Sequence, residues 1–220
     1  MNKKLWNNKK NKISKDITSF LAGEDIELDK FLFIYDVDAS LAHVKGLQSI
    51  GVIKKNELLK LNKSLKTLRK NFIDGKFKLT DKYEDCHSAI EFYLINELGD
   101  LGKKVHTGRS RNDQVMVAMR LFAKKNLIEF KTKNKLIAET FLNLAKKHKD
   151  LPMPGYTHLQ RAMPSSWGLW FSSYAESFID NGDLINNTID WIDSNPLGSA
   201  AGYGVAIPLN RDLVTKELGF

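Results

Sequence analysis

Between Arg109 and Leu151 the sequence contains neither glycine nor proline. Nothing in that stretch forces the backbone to turn, so it can run as a single helix. Met116, Met119, Ala123, Leu127, Phe130, Ile137, Phe141 and Leu144 hold a seven-residue repeat along it, broken only at Asn134. A helix of about forty residues would be on the order of 60 Å long at 1.5 Å per residue. Such a rod needs partners along its length, which implies an elongated helical bundle.

The flanking segments point to the same class. Leu32, Tyr35, Ala39, Ala42 and Leu47 share a stripe over residues 28–50, and Gly51 ends it. Leu58, Leu61, Leu65, Leu68 and Phe72 alternate steps of three and four, predicting a helix capped by Asn56 and running to Ile73. A third helix is predicted from near Asp85 to Gly99, with acidic Glu84 and Asp85 at its positive end. Pro152, Pro154 and Gly155 break the long helix, and Pro164 suits the first turn of another. That helix is expected to turn Trp167, Trp170, Tyr174, Phe178, Leu184 and Trp191 inward before Asn195, Pro196 and Gly198 end it; Asn210 is placed to cap a last short one. No segment reads as a strand. The expected fold is all-α: an N-terminal helical domain over residues 1–108, opening with a basic arm over about 1–20, then the first long helices of a bundle over 109–220.

The net charge of +8 raises the question of a nucleic-acid or membrane partner. Its distribution argues against both. Lysines such as Lys60, Lys63, Lys66 and Lys70 are scattered along polar helix faces, whereas a nucleic-acid groove favours arginines interleaved with stacking aromatics. No apolar run approaches membrane-spanning length, and Met1 to Asp16 are basic and polar without the apolar stretch of a secretory signal. Cys86 is the only cysteine, which excludes an internal disulfide and suits a reducing compartment. The cytoplasm is the expected location.

Three polar segments punctuate the helices. The first, Glu84-Asp85-Cys86-His87-Ser88, is by itself an acidic helix start with an ordinary histidine. Adjacent Cys86 and His87 point about 100° apart on a helix, which disfavours a nucleophilic pair, and no second ligand follows at metal-binding spacing. The second runs from His106 to Gln114 (His-Thr-Gly-Arg-Ser-Arg-Asn-Asp-Gln) before the longest helix. Gly108 permits a sharp turn, Ser110 and Asn112 can cap, and Arg109 and Arg111 add charge; the result is either a cradle for a carboxylate or phosphate or a plain cap with two solvated arginines. The third, Met153 to Pro164, carries Thr157, His158 and Gln160 on a short connection between rigid helices, where function often sits; a lone loop histidine is also often structural.

At these segments the sequence resembles the fumarase/aspartase superfamily and, within it, the argininosuccinate lyase family. The residues concerned are Tyr35-Asp36-x-x-x-Ser40-x-Ala42-His43, Glu84-Asp85-x-His87, His106 to Gln114 with its Ser110-x-Asn112-Asp113 core, Gly155-x-Thr157-His158-x-Gln160-x-Ala162-x-Pro164, and Asn195-Pro196-Leu197-Gly198-Ser199. They occur in the family's order from about Phe20 to Phe220. One departure is that Leu5-Trp6 continues into Asn7-Asn8-Lys9-Lys10, where the family often has Gly-Gly-Arg-Phe.

The resemblance implies an elimination that splits argininosuccinate into fumarate and arginine, the last step of arginine biosynthesis, with no cofactor or metal. By the same resemblance Ser110, Arg111, Asn112 and Thr157 would hold the fumarate half, and His158 would be the general acid. Asp29 and Asp85 would face the arginine half, and Gln160 would be a further substrate contact. It also implies a homotetramer of chains about twice this long. The catalytic serine would lie on a Gly-Ser-Ser-x-Met-Pro-x-Lys loop beyond Phe220, so that the present stretch alone would be inactive. Competing readings are a sister lyase acting on adenylosuccinate, aspartate or malate, a non-catalytic structural protein, and a basic helical nucleic-acid binder.

Overall fold

A computed structural model describes Phe20 and residues 23–220, so the expected basic arm otherwise lies outside the described residues. The elements in chain order are α1 (Asp25–Leu28), α2 (Phe33–Ser49), α3 (Lys55–Ile73), α4 (Cys86–Leu98), α5 (Asp100–Lys103) and a 3₁₀ turn (Lys104–His106). There follow α6 (Arg111–Lys147), β1 (Pro152–Thr157), β2 (Gln160–Ser166), α7 (Trp167–Ile192) and α8 (Arg211–Leu218). The fold is mostly helical, as the periodicity predicts. Two compact units arise, one from residues 1–122 with 194–220, the other from 123–193. The expected boundary at 108/109 marks the approach to α6; the division between the units instead falls inside that helix.

In the first unit, α2, α3 and α4 bury the apolar stripes read from the sequence. Leu61, Leu65 and Leu68 of α3 are fully buried with Phe33, Val37, Val44 and Leu47 of α2 and Ala89, Ile90 and Leu94 of α4. The Phe33 ring stacks on Phe72 at 4.0 Å between centroids. α3 starts slightly earlier than expected, with Lys54 rather than Asn56 at the N-cap: the Glu57 carboxylate accepts the Lys54 N–H at 2.8 Å, and Asn56, inside the first turn, accepts the Glu57 N–H at 2.9 Å. α4 starts next to Asp85 as predicted, and Asp85 caps it, accepting the Ser88 N–H at 2.6 Å while the Ser88 hydroxyl accepts the Asp85 N–H at 3.0 Å. The final segment returns to this unit. Asn210 caps α8 through the Leu213 N–H at 3.1 Å, and Val214 lies so close to Gly46 of α2 that a Cβ there would sit 2.7 Å from it.

The second unit pairs α7 antiparallel with the later part of α6. Phe141 stacks on Tyr174 and Phe178, and the Asn134 side chain donates to the Phe178 carbonyl at 2.7 Å. The residue that breaks the heptad is therefore a buried polar pin between the two helices.

Two expectations fail here. The segment predicted to contain no strand forms an antiparallel hairpin, and Pro164 belongs to β2 rather than to the first turn of a helix. Both strands of a two-stranded ribbon are edges, where proline's missing N–H is tolerated. Pro154 and Pro164 in fact face each other across the pair. The second failure concerns α7: Trp191 is 83% and Leu184 66% exposed, and Trp167, Trp170 and Tyr174 are also partly exposed. Two paired helices can each hide one narrow stripe, here Gly168, Ala175 and Ile185 on α7.

Gly102 reports how tightly the first unit is closed. A Cβ at this position would lie 2.3 Å from the Leu94 carbonyl oxygen, so α5 rests directly on the end of α4. Gly102→Ala is expected to cost about 1–3 kcal/mol, the usual range for overpacking. A shift of the urea midpoint to lower concentration, with unchanged slope, would register it.

Candidate active site

The turn before α6 is built by its own side chains. Gly108 adopts φ +71°, with the Leu209 side chain packed against the place a Cβ would occupy. Ser110 then caps α6. Its hydroxyl accepts the Asn112 N–H at 3.3 Å, and Asp113 reaches back to accept the Ser110 N–H at 2.8 Å. The first N–H groups of a helix are short of partners, and two arginines flank them, so the turn has the makings of an anion cradle.

Arg111 is not a loosely solvated cation. Its Nη1 donates to Gln114 Oε1 at 3.0 Å, Nε lies 3.4 Å from Asp85 and Nη2 3.5 Å from Glu91. Arg109 Nη1 donates to the Ser40 hydroxyl at 2.9 Å, and its Nε is shut off from solvent. Burial lowers the Arg109 pKa, partly offset by Asp36 and Asp113. Asp29 joins the cluster from the other side, accepting the Cys86 N–H at 2.8 Å. Burial raises the Asp29 pKa against the opposing pull of that N–H. The structure thus gathers Asp29, Asp85, Ser110, Arg111 and Asn112 in the first unit.

Beneath them lies a buried polar layer. His87 Nδ1 and Asp36 Oδ2 are 2.7 Å apart, and the Gln114 amide is 3.4 Å from the other Asp36 oxygen. Burial would push the Asp36 pKa up, but the charge and hydrogen bond of His87 outweigh it and the net shift is downward. Burial likewise opposes charge on His87, and Asp36 reverses the outcome, leaving the His87 pKa raised. His43 is the opposite case: burial and the nearby Arg109 push its pKa down to about 3, so its neutral ring donates Nε2–H to the Thr107 carbonyl at 2.9 Å.

Among the described residues Asp36, Cys86 and His87 are close enough to share a metal ion. The same atoms are already engaged with one another, and burial raises the Cys86 thiol pKa, with Asp36, Asp29 and Asp85 adding to the shift. That favours the protonated thiol over a thiolate ligand.

The remaining expected site residues belong to the second unit. Thr157 and Gln160 pair across the hairpin, leaving His158 and Leu159 as its two-residue turn, not a connection between helices. Both have positive φ, +47° and +65°, as a tight hairpin turn demands. Thr157, His158 and Gln160 are exposed.

Neither Asp36, Glu91, Asp113 nor Gln114 stands out in the sequence as a site residue, and Arg109 does so only as a charge beside the turn. Their signal was present: Asp36 lies in the quoted Tyr35-to-His43 pattern, and Arg109, Asp113 and Gln114 lie in the segment before α6. What was missing was which distant partner each would find.

The family model described as lyase matches residues 4–220. Argininosuccinate lyase from Xanthomonas axonopodis pv. citri is 50% identical over 216 residues, covering 98% of this chain and 50% of that protein. Argininosuccinate lyase from Stenotrophomonas maltophilia is 48% identical over the same shares. The chain spans about half the length of the curated relatives it matches. Among solved structures, an EDDS lyase variant with bound fumarate superposes with a TM-score of 0.76 at 26% identity, over 94% of this chain and 41% of that one. A fumarate lyase:delta crystallin from Brucella melitensis gives a TM-score of 0.71 at 14% identity, over 96% and 53%, a likeness of fold alone.

The Asp36–His87 pair has a defined pH window. His87, with its pKa raised, contributes fully below its unfolded value of about 6.5, and the contribution disappears as pH rises through the folded value. Asp36, with its pKa lowered, contributes fully above about 3.9 and loses the contribution as pH falls through the folded value. Stability should therefore be greatest between about pH 4 and 6.5 as far as this pair is concerned. Asp36→Asn is expected to cost about 3–5 kcal/mol inside that window. Urea titrations from pH 3 to 8 should show the loss shrinking outside it; a constant difference at every pH would contradict the pairing.

Proposed function

The chain belongs to the lyase family, and from that premise we propose that the protein containing it is an argininosuccinate lyase, releasing fumarate from argininosuccinate and leaving arginine. The observation that carries this reading is the Ser110 turn: capped, flanked by Arg109 and Arg111, and backed by a carboxylate-rich cluster in a chain 50% identical to argininosuccinate lyases. The alternative of a plain cap with solvated arginines accords poorly with the three partners of Arg111 and the enclosed Nε of Arg109.

The chemistry assigns the roles. Removing a proton next to a carboxylate places two negative charges on that carboxylate, and fixed donors aimed there lower the barrier most. In this reading Ser110, Asn112 and Thr157 supply those donors, and Arg111 adds positive charge. Arginine leaves through its guanidino nitrogen. Expelling it unprotonated would be very unfavourable, since the conjugate acid has a pKa above about 12. His158 is the proposed general acid, held at the hairpin tip, with Gln160 beside it. Asp29 and Asp85 are suited to attract the cationic arginine half.

Assembly into a homotetramer and a cytoplasmic location belong to the same proposal. The uncovered Leu184 and Trp191 on α7 support association of like subunits. Among the described residues no helix is long and apolar enough to cross a membrane.

Thr157→Ala and His158→Asn, made in a full-length enzyme carrying this sequence, should each lower turnover by about 10²-fold or more, the scale of acid–base and positioning groups. Fumarate formation followed by ultraviolet absorbance measures it. Near-wild-type rates for His158→Asn would remove that residue from the mechanism, and preference for adenylosuccinate or aspartate in a substrate panel would replace the proposed substrate.

A further inference from the structure

A helix-capping acid ordinarily uses one oxygen for the backbone and leaves the other in water. Asp113 does not. Its Oδ1 accepts the Ser110 N–H at 2.8 Å, closing a capping box at the start of α6. Its Oδ2 accepts two further N–H groups, from Gly198 at 3.0 Å and Ala200 at 2.9 Å. The residue is 1% exposed. One carboxylate therefore takes three backbone donors, one from its own turn and two from residues 85 and 87 positions further along the chain.

The downstream segment is shaped for this contact. Gly198 has φ +100° and Ala200 φ +50°, and together these bends bring both N–H groups onto one oxygen. Ala200 adopts a conformation that alanine disfavours, and it persists because the surroundings fix it. Arg211 grips the segment from elsewhere, donating from Nε to the Leu197 carbonyl and from Nη2 to the Asn195 carbonyl, each at 3.2 Å. Asn195 also donates to the Thr215 hydroxyl at 2.9 Å.

We propose that Asp113 is a positioning residue that locks the Ser110–Asn112 turn in register with the Leu197–Ala200 segment, and so fixes the direction in which the turn's donors meet the substrate carboxylate. This rests on the lyase reading for the identity of the substrate; the lock itself stands on the geometry. Asp113 touches no substrate in this scheme. It acts through Ser110, whose N–H it holds and whose hydroxyl therefore keeps one orientation at the helix start.

Asp113→Asn is the incisive substitution. An amide has one acceptor oxygen, so either the Ser110 N–H or the Gly198 and Ala200 pair must face an NH₂ group. Arg211 and Asn195 still anchor the downstream segment, so the register loosens without the segment being released. In the full-length enzyme kcat should fall by about 10²-fold, the scale of a small misalignment of catalytic groups. KM should change little, because donor direction matters most once charge develops on the carboxylate. Amide hydrogen exchange at Ser110, Gly198 and Ala200 should quicken together. Asp113→Glu, which keeps the charge but adds a methylene, provides the same readings if the Asn variant fails to fold.

Unchanged kcat in a folded variant overturns the proposal. So does a loss of activity that only follows the fraction folded, or exchange unaltered at those three amides. If the wild-type enzyme releases no fumarate from argininosuccinate, the lyase reading fails, and amide exchange still decides the lock: release at both segments upholds it, and no change at either refutes it.

Discussion

Seven polar side chains in the first unit, Asp36, Ser40, His43, Ser64, His87, Asp113 and Gln114, are withdrawn from water. That withdrawal is the constraint on which the site depends, because a buried polar group without a partner costs about 1–3 kcal/mol or more. Those around the site each find one. Asp36 takes His87 and Gln114, Ser40 accepts from Arg109, His43 donates to the Thr107 carbonyl, and Asp113 takes three N–H groups. Apolar packing of α2, α3 and α4 could tolerate small shifts with little change in energy. Hydrogen-bond geometry cannot, since strength falls steeply with misalignment. The polar layer therefore fixes where α6 begins relative to α2 and α4, and with it where the Ser110 turn points.

How much of this could be read in advance depends on how local the cause is. Helical periodicity is local, and α2, α3, α4 and α6 fall close to where it puts them. Caps are local too: Asn210 acts as expected, while Lys54 displaces Asn56 because the longer Glu57 can reach back to its N–H. The hairpin was hidden because Pro152, Pro154 and Pro164 look like helix punctuation and their alternation is weak. Only the pairing of two edges makes them compatible with strands. The expected inward face of α7 failed for a different reason. A sequence reveals that a stripe is apolar, not which surface will cover it, and in the second unit α6 covers only part of it.

The site divides along the same line. Ser110, Arg111 and Asn112 were visible because they are contiguous with a glycine turn and a helix start. Asp36 and Asp113 were not, because their partners lie 51 and 85 residues away. Arg111 was visible as a charge, but its commitment to Asp85, Glu91 and Gln114 was not. That commitment alters its chemistry. A cation already shared with two carboxylates contributes direction and field more than a free charge, which suits the proposed role of orienting a dicarboxylate without holding it too tightly.

The two units hold their polar groups by different means, and the chemistry explains why that is useful. The Ser110 turn is held by the buried Asp113 carboxylate, so in the proposed reaction little reorganisation is needed when negative charge develops in front of its donors. His158 is held by backbone geometry instead: a two-residue turn with positive φ at both positions, closed by the Thr157–Gln160 pair. Leu159 shares the turn and is 95% exposed, a conformation and an exposure that a leucine would not adopt without the hairpin's constraint. The acid of the proposed reaction must shed and regain its proton within each cycle, which an exposed ring at a stiff tip permits and a ring sealed like His87 does not. A donor turn fixed by its neighbours and an exposed imidazole are thus the two kinds of group that the proposed elimination, with one charge-developing end and one protonated leaving group, calls for.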